Sequence, residues 1–192
     1  MIRGLSSPDR SMSSAVADTV TRLNSARLST CSSTRRYPLT PIFTIRSYAR
    51  EDRASLIALL WELPLWYPRG LHWLQARLTD VEHGAASATI AVAHGATVGV
   101  IIDTPKAQDR GKLSTLYVAP GSRRRGLAGQ LLQIRECSWI EQGLRTVSCT
   151  LPWPQGAATY RFLAGYGFTS VALARQRYGP RRDELVVTWQ QH

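Results

Sequence analysis

Cysteine, lysine and acidic residues are all scarce in this chain of 192 residues. Its three cysteines lie far apart, and no CxxC or HxxxH pair accompanies them. This spacing predicts neither a framework of several disulfides nor a metal site, and it favours a reducing compartment, expected to be the cytoplasm. No run approaches the roughly 18 apolar residues that a membrane-spanning helix needs, so the protein is expected to be soluble or at most peripheral, with no membrane as its partner.

The missing acids leave one part of the chain strongly basic. Lys and Arg number 24 against 13 Asp and Glu, a formal net charge of +11, and only Lys106 and Lys112 are lysines. Residues 110–182 hold 12 of these bases and two acids, Glu136 and Glu141. Codon bias would explain the preference for arginine but not the absence of acids. An anionic ligand or surface is therefore expected in this window first.

Residues 1–40 differ in composition from the rest. They contain nine Ser, five Thr and six Arg, without the apolar periodicity that builds a core face. This predicts a disordered extension ahead of a single domain over 41–192. The same composition is typical of an organellar transit peptide, which would make the expected compartment an organelle. A start codon assigned too far upstream would produce a similar segment.

Apolar periodicity over 41–192 predicts an α/β (α+β) domain around a mixed sheet, in the order β-α-α-β-β-β-α-β-α-β-β. Pro64 and Pro68 are expected to break the first helix. Strands are expected at 42–46, 89–94, 97–102, 113–118, 146–151, 170–177 and 184–189, and helices at 52–60, 71–81, 123–141 and 157–163.

The most informative stretch runs from Leu116 to Leu132, where a buried strand enters a turn with three arginines and the turn opens into a helix. Gly126 and Ala128 lack bulk at the place where a ligand would approach the backbone. The first N–H groups of the helix have no intrahelical acceptor and carry the positive end of its dipole. These properties suit a pyrophosphate, although a solvated arginine-rich corner is the simpler alternative.

Arg123, Gly126 and Ala128 match the pattern Arg/Gln-x-x-Gly-x-Gly/Ala, and the stretch resembles motif A of the GNAT superfamily of acetyl-CoA-dependent N-acetyltransferases. Further matches in register are Leu116, Val118, Pro120, Ile45-Arg46, Glu51-Asp52 and Tyr166-Gly167-Phe168. The resemblance covers roughly 42–190. It implies a mixed, mostly antiparallel central sheet flanked by helices.

The resemblance also implies acetyl-CoA as co-substrate and an amine of a small molecule or protein as acceptor, with no metal, in a monomer or homodimer. The Val118 N–H would act as oxyanion donor to the thioester carbonyl. The residues implied for the coenzyme are Leu116, Tyr117, Val118, Arg123, Arg124, Arg125, Gly126, Leu127 and Ala128.

Two positions depart from the family pattern. Leu163 stands where a tyrosine usually protonates the departing thiolate, and Gly156 stands where an asparagine is usual. Tyr160, about one helical turn earlier, would substitute as catalytic acid, or it is a packing residue. Glu62 and Glu82 are the nearest candidates for a general base, each with the alternative of an ordinary surface residue.

The aromatic segment comprises residues 61–68 followed by His72 and Trp73. It would suit an acceptor pocket for a hydrophobic amine, although packing of Trp61 and Trp73 into the core is the favoured interpretation. Three functions remain open. The first is an N-acetyltransferase acting by direct attack, and the second is a coenzyme A-binding module that has lost its acid–base groups. The third is a basic surface acting on nucleic-acid-associated amines, which ranks last because the arginine window lacks a stacking platform.

Overall fold

The computed structural model describes residues 43–67, 69–176 and 183–191, so the extension expected over 1–40 lies outside the described residues. The strands are β1 Thr44–Ser47, β2 Ser87–Ala93, β3 Ala96–Ala107, β4 Arg110–Val118, β5 Thr146–Trp153, β6 Phe168–Ala174 and β7 Asp183–Gln190. The helices are α1 Arg53–Leu59, α2 Leu63–Trp66, α3 Gly70–Glu82, α4 Leu127–Glu141 and α5 Ala157–Ala164. Short 3₁₀ turns cover Arg50–Asp52 and Pro120–Ser122.

The described strands form one sheet in the order β1-β2-β3-β4-β5-β7-β6. All neighbouring pairs are antiparallel except β4 and β5. With helices packed against it, the predicted mixed, mostly antiparallel sheet is confirmed. Within the described residues no helix is long and apolar enough to cross a membrane.

The parallel pair β4–β5 is short, and its two strands then separate. Pairing covers Arg110–Lys112 on β4 and Thr146–Ser148 on β5. Immediately afterwards the register of β4 against β3 shifts, since Asp103 pairs with Leu113 whereas Ile102 pairs with Thr115. The extra residue, Ser114, is a β-bulge, which bends the strand that carries it. A wedge-shaped gap therefore opens between the ends of β4 and β5.

Helices pack on both faces of the sheet, as the alternating packing partners of successive β3 side chains show. Ile101 packs in one buried cluster with Leu131 of α4, whereas Val100 packs in a second cluster with Leu74 of α3. Successive strand residues point to opposite faces, so one strand contributes to both clusters. Burying each such side chain stabilises the fold by about 1.5–3 kcal/mol.

A buried ion pair joins α4 to β3. Arg135 donates from Nε to Asp103 Oδ1 over 2.6 Å and from Nη2 to Asp103 Oδ2 over 3.1 Å. The interaction is bidentate, because each carboxylate oxygen of Asp103 accepts one hydrogen bond from Arg135. A buried ion pair needs such hydrogen bonds to offset the loss of water. The pair fixes the position of the helix that begins at the arginine turn.

Several elements differ from the prediction. Helix α4 begins at Leu127 rather than at 123, and β6 covers Phe168–Ala174 rather than 170–177, of which residue 177 lies outside the described residues. Residues 63–66 form a short helix, because Pro64 lies in its first turn, where a backbone N–H has no intrahelical acceptor. Strands β3 and β4 are also longer than expected. Strand β3 continues to Ala107 instead of ending at 102, and β4 begins at Arg110 instead of 113. The polar Asp103 and Thr104 interrupt the apolar pattern, yet both are buried.

Candidate active site

The turn between β4 and α4 has a left-handed backbone conformation at two residues. Gly126 is the N-cap of α4 with φ 77° and ψ −2°, and Arg124 also has a positive φ of 62°. This left-handed conformation costs glycine little and is uncommon in other residues. The chain is thereby turned so that α4 starts directly after the arginines.

A cavity of about 400 Å³ lies at this N-terminus. Its lining is Val118, Ser122, Arg123, Arg124, Gly126, Leu127, Ala128, Gly129, Phe162 and Tyr166. Most of the predicted coenzyme residues are thus brought together around the unpaired N–H groups of the first helical turn. Arg125 is exposed and is not part of this lining.

Arg123 binds back to its own turn. Its Nε donates to the Val118 carbonyl oxygen over 2.9 Å, and its guanidinium carbon lies 5.6 Å from the centre of the Tyr117 ring. A hydrogen bond from a cation and a cation–π contact both favour this position. Arg123 therefore holds the end of β4, a role that the sequence does not reveal.

The free edge of β4 faces the gap between β4 and β5. The Ala119 N–H donates to the Val98 carbonyl oxygen over 2.8 Å, and the register pairs Val118 with Gly99. In an antiparallel pair, hydrogen-bonded and non-hydrogen-bonded positions alternate. The backbone groups of Val118 and Leu116 therefore point away from β3 and towards the gap. Those of Tyr117 point towards β3, at a hydrogen-bonded position of the pair.

A larger cavity of about 580 Å³, here named the cleft, occupies the gap. Its strand lining is Leu113–Tyr117 of β4 and Cys149–Pro152 of β5, with Leu59, Leu60, Glu62, Leu63, Tyr67, Pro120, Arg123, Gln155, Gly156, Thr159 and Leu163 from the surrounding segments. Arg123 lines both cavities, so the two meet at the arginine turn. The site is a slot with an anion-suited end and a largely apolar body.

A family model described as an acetyltransferase (GNAT) domain matches residues 72–180, more than half of the chain. The chain belongs to the GNAT acetyltransferase family. No curated protein sequence matches it. Its catalytic class is therefore that of a GNAT-type acetyltransferase.

Solved structures share the GNAT fold at low sequence identity. A ribosomal-protein-alanine N-acetyltransferase from Brucella melitensis is 20% identical with a TM-score of 0.66, covering 77% of this chain and 99% of its own. A GNAT family acetyltransferase from Elizabethkingia anophelis, solved with acetyl-CoA bound, is 13% identical with a TM-score of 0.62, covering 79% and 100%. The ribosomal-protein-S18-alanine N-acetyltransferase from Escherichia coli is 18% identical with a TM-score of 0.65, covering 77% and 93%.

The two departures from the GNAT pattern both lie on the cleft wall. Leu163 of α5 is 1% exposed and lines the cleft, so an apolar group occupies the usual tyrosine position. At Gly156 an added Cβ would lie 2.6 Å from the Pro152 carbonyl oxygen and 3.1 Å from Leu151 Cβ. Close packing therefore restricts this position to glycine, which explains why no asparagine stands there.

The structure does not bring Tyr160 into either cavity. Thr159 and Leu163 of α5 and its N-cap Gly156 line the cleft, whereas Phe162 of α5 lines the cavity at the turn. The partly buried Tyr160 side chain packs against the core cluster that α4 also joins.

Of the two candidate bases, only Glu62 is near the cleft, where it is one of the lining residues. Glu82 lies elsewhere, accepting from Tyr48 Oη over 3.0 Å and from Arg53 Nη1 over 2.7 Å. The Arg53 hydrogen bond is the main reason that the pKa of Glu82 is lowered. Burial and, after it, the Glu82 hydrogen bond raise the pKa of Tyr48 to about 12. Glu82 is therefore part of a structural cluster.

Trp61 and Trp73 of the aromatic segment have different environments. Trp73 is partly buried against the second cluster, as predicted. Trp61 is 64% exposed, so the prediction that it packs into the core is wrong. It lies in the turn between α1 and the short helix α2. Composition alone does not distinguish these two positions.

Proposed function

We propose that the protein transfers the acetyl group of acetyl-CoA to a primary amine by direct attack. The observation that carries the proposal is the alignment of the arginine turn, the outward backbone of β4 and the cleft into one continuous slot. Acetyl-CoA combines a pyrophosphate with a long, mostly apolar arm. Such a ligand suits a slot that offers N–H groups at one end and leucines along its body.

Coenzyme binding is assigned to the turn and to β4. The N–H groups of Arg124, Arg125, Gly126, Leu127 and Ala128 would hold the pyrophosphate, with the side chains of Arg124 and Arg125 as counter-charges. Leu116 and Val118 would present backbone groups to the arm. Arg123 acts through the turn that it holds in place.

Catalysis rests on positioning and on one backbone donor. The neutral amine attacks the thioester carbonyl carbon, and the Val118 N–H donates to the oxygen on which negative charge develops. The bond to sulfur then breaks and coenzyme A leaves as the thiolate, and the nitrogen gives its proton to that thiolate through water, so that the products are the amide and free thiol. Holding two substrates in one slot already lowers the barrier considerably.

A second function is favoured by one observation. The acid position is filled by the buried Leu163, and Gly156 leaves no room for the usual asparagine. A chain with these residues would also serve as a coenzyme A-binding module without turnover. Both functions require binding of coenzyme A, but only the first requires catalysis of acetyl transfer.

Two measurements on the full chain test these functions. Acetyl-CoA should raise the melting temperature, and amines drawn from small molecules and peptides should release free thiol in its presence. Stabilisation without thiol release from any amine supports the binding module. Absence of stabilisation at millimolar acetyl-CoA contradicts both.

A further inference from the structure

The cleft carries charge at few positions. Of its described lining residues, Glu62 is the acidic one and Arg123 the cationic one. Arg123 donates to the Val118 carbonyl oxygen and lies over the Tyr117 ring, at the end of the slot where the coenzyme phosphates are proposed to bind. The lining charge that is left for an acceptor is therefore the carboxylate of Glu62.

The Glu62 carboxylate is not used by the fold, in contrast to that of Glu82. Glu62 is the N-cap of α2, yet its side chain makes no capping hydrogen bond. None of the ion pairs within the described part of the chain includes it. The residue is exposed. Its negative charge therefore lies at the solvent-facing mouth of the cleft.

Two further charges act on the inner end of the cleft, at the lining residue Cys149. Burial has the largest effect on this thiol and raises its pKa to about 12, while Lys112 acts to lower that pKa and the buried Glu184 acts to raise it. The two charges thus oppose each other at the same point, with the cation having the larger effect. A positively charged group gains nothing at this end, whereas it is attracted to Glu62.

The body of the cleft is mostly apolar. Its lining includes seven leucines, Leu59, Leu60, Leu63, Leu113, Leu116, Leu151 and Leu163. An alkyl chain suits such a wall, because burying methylene groups is favourable. The attacking nitrogen has to lie inside, beside β4, and Glu62 stands at the mouth. An acceptor that uses both therefore carries its reacting amine and a second charge at opposite ends of an apolar chain.

We propose that the acceptor is an alkyl diamine, whose second ammonium group is bound by Glu62 at the mouth of the cleft while the neutral reacting amine lies beside β4. The inference rests on the proposed acetyl transfer and names the substrate class of that same site. An ammonium group offers three donors and forms a charge-assisted hydrogen bond with a carboxylate. Glu62 thus determines specificity through the end of the acceptor that does not react.

The test uses pairs of acceptors that differ only in the second amine, hexane-1,6-diamine with hexylamine and octane-1,8-diamine with octylamine. The quantity measured is the ratio of kcat/KM for the diamine to that for the monoamine, in the wild type, Glu62→Gln, Glu62→Asp and Glu141→Gln. A diamine has two equivalent reacting ends in every protein, so the decisive comparison is between proteins. Glu141 is the matched control, an exposed glutamate at the end of α4 that is not part of the cleft lining.

The ratio should fall about three- to fivefold in Glu62→Gln, because the ion pair lies at an exposed position. It should stay unchanged in Glu141→Gln and fall less in Glu62→Asp, which retains a carboxylate. An equal ratio in Glu62→Gln and the wild type overturns the inference. A wild type that acetylates the N-termini of peptides but neither diamine also overturns it, and assigns the cleft to a peptide.

Salt provides an independent readout of the same charge pair. Raising the NaCl concentration to about 0.5 M screens exposed charges, so the ratio of the wild type should fall towards that of Glu62→Gln, which should itself change little. A ratio that responds to salt equally in both proteins contradicts a role of Glu62.

Product binding in the presence of coenzyme A gives a readout without turnover. N-acetylhexane-1,6-diamine keeps the second ammonium group, whereas N-hexylacetamide has none. Tighter binding of the charged product that disappears in Glu62→Gln supports the inference, and equal or absent binding at millimolar concentration overturns it.

Acetyl-CoA stabilisation of the same proteins separates the two levels of the proposal. If acetyl-CoA raises the melting temperature of Glu62→Gln as it does that of the wild type, the variant is folded and the coenzyme site is intact. A lost preference for the diamine is then due to the mouth of the cleft, and an unchanged preference overturns the inference alone. If acetyl-CoA stabilises neither protein, the proposed function fails, whatever the acceptors show.

Discussion

Arg123 donates its Nε–H to the Val118 carbonyl oxygen over 2.9 Å, so the arginine that opens the turn is bound to the last residue of β4. The carbonyl points away from β3 because Val118 occupies a non-hydrogen-bonded position of the antiparallel pair. One side chain thus connects the proposed oxyanion donor with the proposed pyrophosphate turn. Arg123 is thus held against its own turn, and Arg124 and Arg125 are the arginines of the motif that we propose as counter-charges for the ligand.

Replacing Arg123 by alanine should weaken coenzyme A binding about tenfold and lower the free energy of unfolding by about 1–2 kcal/mol. The reason is the loss of the hydrogen bond to Val118 together with the contact over the Tyr117 ring. Calorimetric titration and urea unfolding measure the two effects. Arg124→Ala is the comparison, because it should affect binding with little change in stability. Equal stability losses in both variants would contradict the assignment.

Gly126→Ala should destabilise the protein by about 1–2 kcal/mol and reduce acetyl-CoA stabilisation, because the residue has φ 77° at the N-cap of α4. Gly121→Ala is the matched control within the same turn. An added Cβ there meets nothing within 4 Å, and its φ is not positive. Thermal melting with and without acetyl-CoA compares the two variants. The prediction fails if they melt together under both conditions.

Tyr160→Phe distinguishes a proton donor from a packing residue. Because the side chain packs against the core cluster and lines neither cavity, we expect turnover to remain within about twofold of the wild type. Steady-state thiol release with one fixed amine provides the measurement. A hundredfold loss of kcat with an unchanged melting temperature would instead establish the Tyr160 hydroxyl as the acid that Leu163 cannot provide.

Glu82 should make stability depend on pH in the acidic range. Its pKa is lowered below the ordinary 4.5, chiefly by the Arg53 hydrogen bond. A carboxyl group whose pKa is lower in the folded state than in the unfolded state increases the free energy of unfolding. This contribution is complete above the pKa of the unfolded state and is lost as the pH falls through the pKa of the folded state. The difference in melting temperature between the wild type and Glu82→Gln should therefore narrow below about pH 4.5.

Melting curves between pH 7 and pH 3 measure this narrowing. Arg53→Gln removes the principal donor to Glu82, so its difference from the wild type should narrow over the same range. A difference that stays constant from neutral to acidic pH in both variants would show that the cluster does not respond to protonation of Glu82.

The predictions that the structure supports concern segments whose chemistry is local. A strand that enters an arginine turn, and a helix that follows the turn, are predicted from residues adjacent in sequence, although α4 begins at Leu127 rather than at 123. The position of Tyr160 was harder to predict, because a helical wheel shows that it lies near Leu163 but not which side of α5 meets the cleft. Glu82 is a candidate base in the sequence because it lies in the region expected to flank the acceptor, whereas its partners in the structure, Tyr48 and Arg53, are 34 and 29 residues away.

The sequence by itself determined the family, the order of most of the elements and the arginine turn, because these depend on periodicity and on backbone conformation within a few residues. Only the tertiary structure decided the shape of the site. The cleft exists because pairing between β4 and β5 ends at Lys112 and a bulge follows at Ser114. Strand pairing depends on contacts between segments that are distant in sequence, so the sequence of either strand does not show where their pairing ends.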